Sequence, residues 1–155
     1  MRAPVRLLGI GSPHGPDRIG WRIADGIERR IRARPELGAS MEIHARAAPD
    51  GRMLECLEDA RLCVFVDALV GIPAAQMRRF DDPDAFEETC PLTSHGLGLR
   101  EMLRLGEVLD ALPRSIWIYG VGVSDAGNGG VSDGGVATFC TRILDDILAY
   151  LDQAD

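Results

Sequence analysis

The chain has 155 residues, 46% hydrophobic, 26% charged and 5% aromatic, which fits one domain over residues 1–155 with a single core and excludes a two-domain enzyme. It is too apolar for intrinsic disorder, and no apolar run nears the roughly 20 residues of a membrane span. A formal charge of −7 sets 24 acids against 17 bases, every base an arginine. So acidic a chain is a poor partner for nucleic acid despite the cluster Arg29, Arg30, Arg32 and Arg34. The missing lysine excludes a Walker A loop, a Schiff base and a lysine general base.

The N-terminal run has basic residues but only a short apolar stretch before glycines. It predicts a first strand over Val5–Gly11 rather than a signal peptide, and with it a cytoplasmic protein. Ile19, Ile23, Ile27 and Ile31 recur every four residues among charges, an amphipathic helix. Met41–Arg46 alternates weakly as a second strand, and Met53–Leu57 suggests a short helix. The near-continuous apolar run Leu62–Ala68 is that of a strand buried on both faces. Gln76–Phe80 reads as a further strand. Leu99, Met102, Leu103, Leu105 and Leu109 predict a helix over Leu97–Leu112, closed by Pro113. Ser115–Val121 is a strand, and Val136, Phe139, Ile143, Ile147 and Leu151 stripe a last helix over Ser132–Leu151. Asp81–Ser94 and the glycine-rich Val121–Ser132 read as irregular. Strands alternating with helices imply an α/β domain of three layers, with a mainly parallel sheet covered on both faces.

In such a sheet the ligand crevice lies at the carboxyl ends of the strands. Three polar residues fall there: Asp17 after the first strand, Asp67 ending the buried strand, and His95 before the helix that begins near Leu97. Two carboxylates and an imidazole suit a divalent metal, held directly or carried by a partner, with coordination positions left open. Each also has a plainer reading. Asp17 is a natural N-cap, Asp67 a solvated acid at a strand end, and His95 a loop histidine bonded to a neighbour. His14 reads as a solvated loop residue beside Asp17, and His44 as a structural histidine within the second strand. Cys56, Cys63, Cys90 and Cys140 lack Cys-x-x-Cys spacing, and Cys63 and Cys140 sit in apolar runs where a thiol packs as a small hydrophobe.

No Gly-x-Ser-x-Gly elbow or His-Glu-x-x-His helix is present, and no cysteine stands in a nucleophile's context. Gly9, Gly11 and Gly15 after a strand invite a dinucleotide-binding reading. Pro13 and Pro16 remove backbone donors from that loop, however, and no acid ends the second strand, so a tight strand-to-helix turn explains the glycines better.

Three segments together resemble the hydrogenase maturation proteases, which trim the large subunits of nickel-containing hydrogenases. They are Gly9-Ile-Gly-Ser with Asp17-Arg-Ile-Gly, then Val64-Phe-Val-Asp-Ala-Leu, then Thr93-Ser-His-Gly-Leu-Gly-Leu-Arg-Glu-Met-Leu. The resemblance runs along almost the whole chain and includes the strand Ile116-Trp-Ile-Tyr-Gly-Val-Gly. It implies a phosphorylase/hydrolase-like α/β/α fold with a five-stranded mixed sheet, and a site in which Asp17, Asp67 and His95 gather around a metal as both metal-holding and catalytic residues. It also implies an endopeptidase that removes the C-terminal extension of a nickel-loaded large-subunit precursor, the nickel arriving with that substrate, although other divalent metals would fit the same donors. Because metal requires neutral His95, recognition is predicted to weaken below about pH 6.5.

The chain departs from the family at Ser12, where asparagine is usual, and in having one acid, Asp17, where two adjacent acids are usual. Alignment backwards from Gly20 puts Asp17 on the metal-binding acid; the alternative alignment puts Arg18 there. The stretch Gly120–Gly135 is also looser than in typical members. A non-catalytic, metal-sensing maturation factor that binds the large subunit, or a small dinucleotide-binding module, are the alternative functions.

Overall fold

The computed structural model describes residues 3–12, 15–47, 52–69, 71–89 and 94–154, of which 87–89, 94–98 and 154 are described by backbone alone. His14 and Cys90 lie outside the described residues.

Five strands form one sheet in the order β2-β1-β3-β5-β4. They are β1 (Val5–Ile10), β2 (Met41–Arg46), β3 (Leu62–Leu69), β4 (Met77–Phe80) and β5 (Ser115–Gly122). All neighbours are parallel except β4, which runs antiparallel along β5. The sheet is thus mixed, as expected. The helices are α1 (Ile19–Arg32), α2 (Pro35–Gly38), α3 (Met53–Leu57), α4 (Pro83–Thr89), α5 (Ser94–Val108) and α6 (Asp133–Ala154), with one 3-10 turn at Pro16–Arg18. Among the described residues no helix is long and apolar enough to cross a membrane.

Strand alternation divides the core into the two halves of a sandwich. Val5, Leu7, Leu62, Val64 and Val66 pack with the isoleucines of α1 and with Phe139, Ile143 and Ile147 of α6. Leu8, Ile10, Cys63, Phe65 and Leu69 pack with Met53 and Leu57 of α3, Phe86 of α4 and Leu99, Met102 and Leu103 of α5. Cys56, Cys63 and Cys140 are buried free thiols, and burial pushes the Cys63 thiol well above its ordinary range. His44 is half-buried in β2.

The sequence reading gave no role to Arg6, which is completely buried in β1. Its guanidinium donates to the carbonyl oxygens of Cys56 (2.8 Å) and Glu58 (2.7 Å) and pairs with Glu42. It thereby satisfies carbonyls at the end of α3, a helix of five residues that cannot close them itself. Arg6→Met leaves those acceptors and Glu42 without their cation, so it is expected to cost about 3 kcal/mol, measured by urea unfolding.

On the far side, Tyr119 of β5 donates to Asp146 of α6 (2.7 Å). Arg79 of β4 pairs with the same carboxylate (3.3 Å) and stacks over the Trp117 ring at 4.6 Å. The edge strand β4, its neighbour β5 and the last helix are tied together at this one point.

Candidate active site

The carboxyl edge of the sheet is shaped by glycines. A Cβ on Gly11 would run into the carbonyl oxygen of Asp17, and one on Gly20 into those of Ile10 and Val66. Only bare backbone at these positions lets the first turn of α1 rest directly on the ends of β1 and β3. The same close approach fills the turn over Gly9 and Gly11 with the chain's own backbone, which supports the tight-turn reading over a dinucleotide site.

This seating puts Asp17 at the sheet edge, exposed, in the middle of the 3-10 turn. It is not an N-cap: α1 is preceded by Arg18, and no side chain caps the helix.

Asp67 does not end its strand. β3 continues through Ala68 and Leu69, paired to β5, while pairing to β1 stops at Val66 opposite Gly9. Asp67 therefore stands just past the last rung of the β1 ladder, completely buried. Its parity with Cys63, Phe65 and Leu69 turns it to the face that α3, α4 and α5 cover. One carboxylate oxygen accepts from the Ala68 amide at 2.8 Å. Burial pushes the carboxyl up to about 8, against the pull of that amide, and the charge of Asp17 pushes it further. The two acids are thus close enough for the charge of one to act on the other.

His95 lies within the first turn of α5, which starts at Ser94 rather than near Leu97. The helix leads into β5, whose first residue Ser115 pairs with the first residue of β3. Its other end, with His95, accordingly lies toward the carboxyl edge on the Asp67 face. The His95 side chain is outside the described residues, and among those described no group of three metal-ligating side chains forms.

The glycine-rich connection after β5, predicted as loose, is held in place. Arg22 of α1, 15% exposed at its side chain, donates to the carbonyl oxygens of Asn128 (3.1 Å) and Val131 (2.9 Å) and pairs with Asp133 (3.0 Å). Gly129 and Gly130 take positive φ values of 68° and 79°, and Val131 is fully buried. Sequence reasoning missed this clamp, because nothing local to Arg22 announces partners more than 100 residues away.

No family model and no curated protein matches the chain. Solved structures do. The hydrogenase maturating endopeptidase HybD from Escherichia coli is similar at 20% identity with a TM-score of 0.66, over 99% of this chain and 94% of that one. The [NiFe] hydrogenase maturation protease HybD from Thermococcus kodakarensis is similar at 20% identity and a TM-score of 0.66, over 95% of this chain and 99% of that one. HycI from the same organism gives 19% and 0.65, over 93% and 92%. The five-stranded mixed sheet between two helical layers is common ground, and the chain has the fold of the hydrogenase maturation endopeptidases.

Proposed function

We propose that the chain is an endopeptidase that removes the C-terminal extension of a nickel-loaded hydrogenase large-subunit precursor, with Asp17, Asp67 and His95 meeting the nickel that the precursor carries. The observation that carries this reading is Asp67, a buried carboxyl held at about 8 beside a second acid on the sheet edge. Burying such a group for stability alone is unfavourable, and an arriving cation offsets both its desolvation and the repulsion from Asp17.

Among the described residues the cysteines, Cys56, Cys63 and Cys140, are buried free thiols, and the reading assigns the attack on the peptide to water. The reading assigns the proton transfers to a carboxylate of the site, which takes the proton of the attacking water and returns it to the leaving amine; the value of about 8 belongs to Asp67 before the cation arrives. Asp17, exposed at the rim, contributes charge where the metal and the scissile segment arrive.

The test is to incubate the purified chain with nickel-loaded precursor and follow precursor mass. Loss of a single C-terminal peptide is the expected result. A stable complex with the precursor intact would replace the protease by a metal-sensing binding factor.

A further inference from the structure

Three clefts run end to end along the seam between α1 and α6, starting at the sheet edge that holds Asp17. The first, about 200 Å³, lies between Gly15, Arg18, Arg22 and Asn128. The second, about 460 Å³, shares Arg18 and Arg22 with it and adds Arg29 and Arg30. The third, about 370 Å³, shares Arg30 and ends at Arg34. Their floor is drawn close by Gly26, where a Cβ would stand 2.8 Å from the Cys140 sulfur.

The charge of this seam is opposite to that of the molecule. Five arginines (18, 22, 29, 30 and 34) face three aspartates (25, 133 and 145), on a chain whose formal charge is −7. Several of these cations are also uncompensated. Among the described residues the side chains of Arg18 and Arg34 have no hydrogen-bond or ion-pair partner. Arg30 spends its guanidinium on neutral oxygens, those of Thr141 (2.9 Å) and Ala137 (3.0 Å). Arg29 pairs with Asp25 at 3.0 Å, but both are mostly exposed, at 72% and 64%, so water weakens that pair.

From this geometry we infer that the α1/α6 seam is a docking groove for an extended, acidic protein segment entering beside Asp17. Helix α1 has 14 residues, which at about 1.5 Å per residue gives about 21 Å of groove, or about six residues of extended chain. Guanidinium forks at intervals along such a track suit carboxylates on successive side chains. This goes beyond the cleavage reaction, and binding is measured without it.

The probe is a fluorescent ten-residue peptide of alternating glutamate and serine, compared with one of alternating glutamine and serine, by anisotropy at low salt. The acidic peptide is expected to bind at least tenfold more tightly. Arg18→Glu with Arg34→Glu is expected to lower that affinity at least tenfold. The control pair Arg61→Glu with Arg114→Glu changes net charge equally away from the groove and is expected to change it less than twofold. No preference for the acidic peptide, or equal loss in both double variants, overturns the proposal. Displacement of the peptide by a ten-nucleotide single strand of DNA at equal concentration also overturns it, in favour of a general polyanion site. Retained binding with no precursor cleavage would leave the groove standing and remove the protease.

Discussion

Asp67→Asn is expected to abolish cleavage of nickel-loaded precursor, by about a thousandfold or more, while making the folded chain more stable at alkaline pH than the wild type. Both effects come from one carboxyl. Burial holds it at about 8 in the folded chain, against an ordinary value near 3.9 in the unfolded one. Below that lower value the group is protonated in both states and favours neither. Between the two values the unfolded chain gives up the proton that the folded chain keeps, so wild-type stability falls as pH rises, by up to about 1.4 kcal/mol per pH unit. Above about 8 the loss is complete. Asparagine keeps the oxygen that accepts from Ala68 and never ionises. Urea unfolding at pH 5 and pH 8.5 should therefore show a pH slope in the wild type that the variant lacks, with a cumulative gap of a few kcal/mol. Identical slopes would mean that Asp67 is not held neutral in the metal-free chain.

Precursor from which nickel is omitted is expected to be processed at least about a hundredfold more slowly than loaded precursor, with a pH dependence that begins higher than histidine alone would set. At pH 7 a carboxyl held at about 8 is mostly neutral, so an incoming cation must displace its proton. Recognition of loaded precursor should therefore gain up to tenfold per pH unit up to about 8. Below about 6.5 the His95 imidazole adds a second competing proton and the dependence steepens. The sequence predicted only the lower step, because the burial that raises Asp67 comes from packing. Processing rates from pH 5.5 to 9, with loaded and nickel-free precursor side by side, measure both effects. Equal rates on the two precursors would sink the metal-coupled mechanism even for a working protease.

The fold was legible wherever side-chain period and burial agreed. The four-residue recurrence from Ile19 to Ile31 marks the buried stripe of α1, and Leu62–Ala68 forms all but the last residue of β3. What escaped was short or polar. The four-residue α2 is too brief for periodicity to register, and α4 at Pro83–Thr89 lies within a stretch rich in acids that read as loop. Helix α5 ends at Val108 rather than Leu112, since Leu109 and Leu112 continue the apolar pattern after the helix itself has stopped. At the site, Asp67 stood out as an acid in an apolar run. Its raised titration and its position beyond the β1 ladder depend on strands far apart in sequence. Arg6 was illegible for the same reason: its acceptors lie 50 and 52 residues away.

The sheet order also sets a sequence of events for a chain emerging from the ribosome. β2 and β3 flank β1, and all three lie within the first 69 residues. The ladder that brings Asp17 beside Asp67 is therefore complete before half the protein has been made. β4 comes next, but its place is outside β5, a strand not yet synthesised, and until Ser115–Gly122 arrives it has nothing to pair with. Asp17, Asp67 and the arginines of α1 are thus all synthesised well before α6, the helix that closes the other wall of the arginine-lined seam.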